Sequence, residues 1–144
     1  MNILITGASG FLGGRLSEHL FQCGHNISLG VRKKESLPLD TKFGSIREID
    51  WRNKKSIQNA CLEINCVIHC AAMNAADSQS TPLDSLAFNP GSTINLMNAA
   101  NNAGVDKIIY LSTIHVYGKG LLGEVDEFTL PIPIHPYAIS KKTA

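Results

Sequence analysis

Short apolar runs alternate with longer mixed segments along the chain. NILIT (2–6), NISLGV (26–31), REI (47–49), CVIHC (66–70) and KIIYLS (107–112) read as strands. Helical spacing predicts an element at 11–23, with Leu12, Leu16 and Leu20 on one face and Gly24 where a C-cap glycine belongs. A longer helix is expected at 82–103, with Ile94, Met97 and Ala100 on one side and Gly104 as its stop. A weaker one is expected at 53–62, and a last one from Pro136 or Tyr137 to Ala144. Strand and helix taking turns predict a doubly wound α/β architecture. Its parallel sheet would carry helices on both faces, because parallel neighbours need crossover connections.

The breaks in this pattern carry expectations of their own. Prolines 131, 133 and 136 with glycines 120 and 123 make 119–136 a loop, and structureless segments of that length are usually functional. The polar stretch MNAADSQST (73–81) reads as a solvated loop. Asn89-Pro90-Gly91 should weaken the long helix and kink it at Asn89. No internal repeat, low-complexity tract or linker interrupts the series, so 1–144 is expected to be one domain.

Composition narrows the partners. A chain of 144 residues, 44% hydrophobic, can bury one real core. A formal charge of +1 and the lack of a basic stripe argue against nucleic acid and anionic membrane, leaving a small molecule or a protein. No apolar stretch approaches the roughly 20 residues of a membrane span, and no secretion signal opens the chain, so the cytoplasm is the expected compartment. Cys61, Cys66 and Cys70 lie close in sequence, but a strand at 66–70 holds its ends roughly 13 Å apart, too far for one zinc. The cysteines, Cys23 included, are expected to be buried reduced thiols, with no metal site.

The first candidate chemistry is TGASGFLG (6–13), where three glycines, Gly7, Gly10 and Gly13, follow the first strand and lead into a helix. A helix N-terminus exposes unpaired amide hydrogens and partial positive charge, which favour phosphate. Gly7 would permit the sharp turn, Gly10 would let backbone approach a pyrophosphate, and Gly13 would let helix pack on strand. The second candidate is YAISK (137–141), which places Tyr137 and Lys141 on one helix face. A phenol with an ordinary pKa near 10 is a poor base at neutral pH, and a nearby ammonium favours the phenolate.

Thr6, Gly7, Gly10, Phe11 and Gly13 match a Thr-Gly-x-x-Gly-Phe-x-Gly motif, and with EIDW (48–51), VIHCAA (67–72), YLSTIHVYG (110–118) and PYAISK (136–141) the chain resembles the extended short-chain dehydrogenase/reductase family. That family includes nucleotide-sugar epimerases and dehydratases. The resemblance implies a Rossmann-like fold and places Ser9, Phe11 and Leu12 beside the glycines in the cofactor turn. It implies that Asp50 accepts from the adenine amino group, Trp51 packs on that ring, and Ala71 and Ala72 line the cofactor. It also makes Thr113, Tyr137 and Lys141 the catalytic set, with Thr113 bonding the reacting oxygen and Lys141 also holding the cofactor ribose. Asn89 stands where the family's asparagine holds active-site backbone or a water.

Binders of NAD usually carry a carboxylate at the end of the second strand, whereas this chain offers GVRKK (30–34). With Arg32 and Lys33 there for a 2'-phosphate, NADP is favoured over NAD. The expected activity is hydride transfer at a secondary alcohol or ketone, most readily of a nucleotide sugar. A ketone or aldehyde reductase and a non-catalytic dinucleotide sensor are the alternatives. His69 is expected to be buried and hydrogen-bonded, His115 to be a polar loop residue, Tyr117 to pack, and Ser112 to support Thr113. Relatives run to about twice this length and often dimerise, so a partial chain and a homodimer are also expected.

Overall fold

The computed structural model describes residues 1–37, 42–119 and 123–144. The chain divides into two compact units, Met1–Ala71 with Asn95–Leu111, and Ala72–Ile94 with Ser112–Ala144. Gly120 of the expected 119–136 loop lies outside the described residues.

The first unit is a parallel sheet of β1 (Asn2–Thr6), β2 (Asn26–Val31), β3 (Ser45–Glu48), β4 (Cys66–His69) and β5 (Lys107–Tyr110), in the order β3-β2-β1-β4-β5. Alternate residues of each strand serve opposite faces. Leu4 and Val67 join Ile57 and Ala60 of α2 (Lys54–Ala60) and Leu96, Ala99 and Ala100 of the long helix α4 (Pro82–Asn102) in one core cluster. Ile3, Ile5, Ile27, Leu29 and Cys66 form the other, against which Leu16 and Leu20 of α1 (Phe11–Gln22) pack. Both faces of the sheet are thus covered by helices, the doubly wound arrangement expected.

Several local expectations need correction. β3 lies at Ser45–Glu48 rather than 47–49, and β4 and β5 end at His69 and Tyr110, short of Cys70 and Ser112. The stretch 73–81 is no simple loop, because it contains α3 (Ala75–Ser80), capped by the Asn74 side chain and burying Ser78. Helix α4 runs on through the buried Pro90, so the proline and glycine that follow Asn89 do not end it. Its predicted face is also wrong, since Ile94 and Met97 are exposed while Leu96, Ala99 and Ala100 are buried. Leu12 is 42% exposed at the start of α1. No disulfide joins the four cysteines, and Cys23 is exposed where burial was expected. Burial pushes the Cys61 thiol up to about 11 and that of Cys66 upward, each partly countered by a nearby cation.

The second unit holds α3, the first part of α4, the short 3-10 turn Ile114–Tyr117 and α5 (Pro136–Thr143), against which that turn and α3 pack. Pro136, the last residue of the expected loop, opens α5 instead, and the described part of 119–135 contains no helix or strand. Its one ordered turn is held by Asp126, whose carboxylate accepts from Thr129 Oγ1 at 2.9 Å and Phe128 N–H at 3.1 Å, bonds that hold that carboxyl below its ordinary pKa. Among the described residues, no helix is long and apolar enough to cross a membrane.

Candidate active site

The strand order puts β2 and β4 on opposite sides of β1. Chain direction therefore diverges at the carboxyl ends of β1 and β4, the place where open α/β sheets hold ligands. Gly7 lies there at φ +72°, and a Cβ on it would come within 2.8 Å of the Ala71 amide nitrogen. Its N–H and that of Ala8 donate to the Gly30 carbonyl at 2.9 and 3.2 Å, fastening the turn to β2. A Cβ on Gly13 would run into the Gly7 carbonyl. Gly10 differs from both. It caps α1 in extended backbone open to any residue, is exposed, and a Cβ there would meet only the Gly7 carbonyl oxygen, at 3.2 Å. A side chain at Gly10 would therefore press on the turn without being excluded by it, and the leading amides of α1 open beside this exposed position.

Around this turn Ser9, Phe11 and Leu12 are exposed, with the Arg15 guanidinium 5.6 Å from the Phe11 ring centre. Thr6, fully buried, accepts from the Ala71 N–H at 3.3 Å and shares a 2.6 Å hydrogen bond with His69 Nδ1. Half-buried Trp51 packs on the α2 side of the core, its ring 5.6 Å from that of His69. Asp50 is exposed and accepts from the Arg52 N–H at 3.0 Å, turning the chain toward Asn53, the N-cap of α2. Arg32 and Lys33 are exposed just beyond β2, where the Lys34 N–H donates to Glu48 Oε1 at 2.7 Å.

In the second unit Pro136 opens α5, its fixed φ suited to a first helical position. His135 Nδ1 accepts from the Ala138 N–H at 3.3 Å and so caps the helix. Tyr137 is half-buried, and Lys141, one turn on, is only 4% exposed. The Tyr137 ring lies 6.3 Å from and nearly parallel to that of His135, and 6.4 Å from that of His115; the imidazoles are 5.2 Å apart. Thr113 Oγ1 accepts from the His115 N–H at 3.3 Å and caps the 3-10 turn that packs on α5. Thr113, Tyr137 and Lys141 therefore sit on two elements that touch. Ser112 is exposed and Tyr117 half-buried.

Asn89 is 2% exposed, and its amide is fully engaged. Its Oδ1 accepts from the Met73 N–H at 2.7 Å, while Nδ2 donates to Ser140 Oγ at 2.8 Å and to the Met73 carbonyl at 3.4 Å. The geometry makes it a brace for the tyrosine-bearing helix and for the backbone at Met73.

The pattern of the NAD dependent epimerase/dehydratase family matches residues 3–144. The chain belongs to that family. Among its relatives, the UDP-glucose 4-epimerase of Streptomyces lividans is 31% identical over 147 residues, spanning 96% of this chain and 44% of its own. Two solved structures are alike in fold. The UDP-glucose 4-epimerase of Thermotoga maritima, determined with UDP-glucose, has a TM-score of 0.86 at 26% identity over 99% of this chain and 48% of its own. That of Thermus thermophilus, in complex with NAD, has a TM-score of 0.86 at 30% identity over 98% and 47%. The chain thus spans about half the length of these family members.

Sequence reasoning missed three positions. His135 could have been found as the residue before a proline at a helix start, a capping position. Gly118, at φ +80°, would drive a Cβ into the Ile132 carbonyl, so the loop crosses it at backbone distance. Glu48 brings a carboxylate to the end of β2 from the neighbouring strand, which only the β2–β3 pairing of Val31 with Glu48 reveals.

Proposed function

We propose that the chain is an NAD(P)-dependent oxidoreductase or epimerase that transfers hydride at a secondary alcohol or ketone of a nucleotide sugar. The observation that carries the reading is the glycine turn at the carboxyl end of β1, where Gly7 and Gly13 leave no room for a Cβ and the exposed Gly10 caps α1, so that a pyrophosphate could reach the leading helix amides. The UDP-glucose and NAD bound by the two solved relatives support it. When bound, the nicotinamide supplies or accepts the hydride.

The chain's own residues do the rest. Gly7 and Gly13 hold the turn, and the amides of α1 receive phosphate. Ser9, Phe11 and Leu12 border it, Ala71 and Ala72 line the cofactor, and Asp50 and Trp51 receive the adenine. Tyr137 exchanges a proton with the substrate oxygen, Thr113 hydrogen-bonds that oxygen, and the Lys141 ammonium favours the phenolate and holds the ribose. Asn89 braces α5.

Replacing Tyr137 by Phe in a protein of the relatives' full length tests this. Turnover should fall by about 10²- to 10⁴-fold while dinucleotide affinity stays within about threefold. Retained turnover would overturn the assignment of Tyr137. In a protein of the relatives' full length, dinucleotide binding with reduction of small ketones but not of sugar nucleotides would favour the reductase alternative, and binding with no turnover on either would favour the sensor; the present chain alone is expected to turn over weakly or not at all.

For the choice of cofactor, Arg32 and Lys33 favour NADP. The exposed Glu48 carboxylate, which accepts from the Lys34 N–H, brings an opposing charge to the same strand end, so the reading rests on the two cations lying nearer the 2'-position than that carboxylate. Parallel titrations should show NADPH binding more tightly than NADH, with Arg32→Ala erasing the difference; tighter NADH binding would reverse this choice.

A further inference from the structure

His69 belongs to none of the roles assigned so far, yet it touches the residues on either side of the proposed cofactor cleft. It ends β4, is 1% exposed, and shares the 2.6 Å hydrogen bond of its Nδ1 with the Thr6 hydroxyl. That hydroxyl also accepts the Ala71 N–H, the group against which Gly7 turns with no room for a Cβ. On its face, the imidazole is met by Trp51, at 5.6 Å and tilted by 47°. The far flank is Tyr110, at 5.9 Å.

We propose that His69 is a positioning residue of the dinucleotide site, setting the glycine turn through Thr6 and backing Trp51 with its ring. The inference rests on the dinucleotide reading given above. A buried hydroxyl with one proton can satisfy two neighbours only in a fixed rotamer, and Nδ1 selects that rotamer whichever group donates. The Ala71 amide is then held in register with Gly7 before any ligand arrives, so binding does not have to order it. Asn89 braces the second unit with a side chain in the same manner, and His69 is the counterpart within the first.

The test is a titration of the whole chain with NADH and NADPH, read by nicotinamide fluorescence and by quenching of Trp51, the single tryptophan. His69→Phe keeps an aromatic ring and removes the bond to Thr6. It should weaken dinucleotide binding by about tenfold, in line with the loss of one buried hydrogen bond. His69→Asn restores a polar group near the Nδ1 position and should recover most of that loss. In Thr6→Val, which removes the hydroxyl itself, adding His69→Phe should weaken binding little further, since the two act on one link. The Thr6 pair keeps the inference open to refutation even if His69→Phe folds poorly, with thermal melting run beside each titration. Equal binding by wild type and His69→Phe, or full additivity with Thr6→Val, would overturn the role of His69 alone. A wild-type chain that binds neither dinucleotide would overturn the cofactor reading and this inference with it.

Discussion

The glycine turn and the tyrosine helix are built on opposite principles. At Gly7 and Gly13 the chain is specified by missing atoms: backbone passes backbone so closely that a single methyl has nowhere to go. Around α5 it is specified by side chains present, with Asn89, Ser140 and His135 each making hydrogen bonds that set where Tyr137 and Lys141 stand. The first kind of site fails by crowding, the second by loss of a polar partner. Substitutions in the two regions should therefore have different signatures.

Gly13→Ala should produce the largest effect. The added carbon meets the Gly7 carbonyl, so the turn must move, with an expected loss of about 1–3 kcal/mol in chemical denaturation and loss of measurable dinucleotide binding. Asn89→Ala should follow at about 2 kcal/mol, because buried groups at Met73 and Ser140 lose partners. Its distinguishing mark is a preserved dinucleotide affinity with faster amide exchange in α5. If Asn89→Ala instead abolished dinucleotide binding, the contrast between the two regions would collapse.

Alkaline pH acts on the first unit through Cys61. The unfolded thiol ionises near 9.0, the folded one only near 11, so its contribution to stability is whole below pH 9 and is lost as pH rises toward 11. Cys61→Ala should flatten that part of the stability profile; an unchanged slope would show that the thiol is not so buried. The smallest effects separate two glycines with open surroundings. Gly24 lies at φ +85°, and alanine there should cost about 1 kcal/mol. Gly91, inside α4 with nothing near, should gain about 0.5–1 kcal/mol as alanine. Equal signs for the pair would contradict the backbone argument.

The same contrast explains what could be read from the chain. Periodicity and glycine spacing report backbone, so β1, β2, α1 and the tight glycine turn between β1 and α1 were legible. Helix α3 was not, because AADSQS has no apolar stripe; it is held by the Asn74 cap and buries a serine. The face of α4 was misread for a related reason. In its first part the buried side is polar, with Ser85, Ser92 and Thr93 bonded locally and Asn89 bonded to Met73 and Ser140, which a search for apolar spacing passes over. The Tyr137–Lys141 pair could be picked out by residue type, whereas the His135 cap of its helix and the Glu48 carboxylate at the end of β2 depend on capping and strand pairing that emerge only once the chain is folded.

Gly10→Thr puts the central claim to the most direct measurement. Threonine suits both the extended backbone at that position and the cap of α1, while its Cβ would press on the Gly7 carbonyl oxygen at 3.2 Å, so stability should fall by no more than about 1 kcal/mol and the denaturation midpoint is measured beside binding. Titrated with NADH and NADPH beside wild type, the variant should bind at least about tenfold more weakly, because its side chain occupies the approach to the helix amides. Undiminished binding by a well-folded Gly10→Thr chain would contradict the claim that this exposed turn receives a dinucleotide.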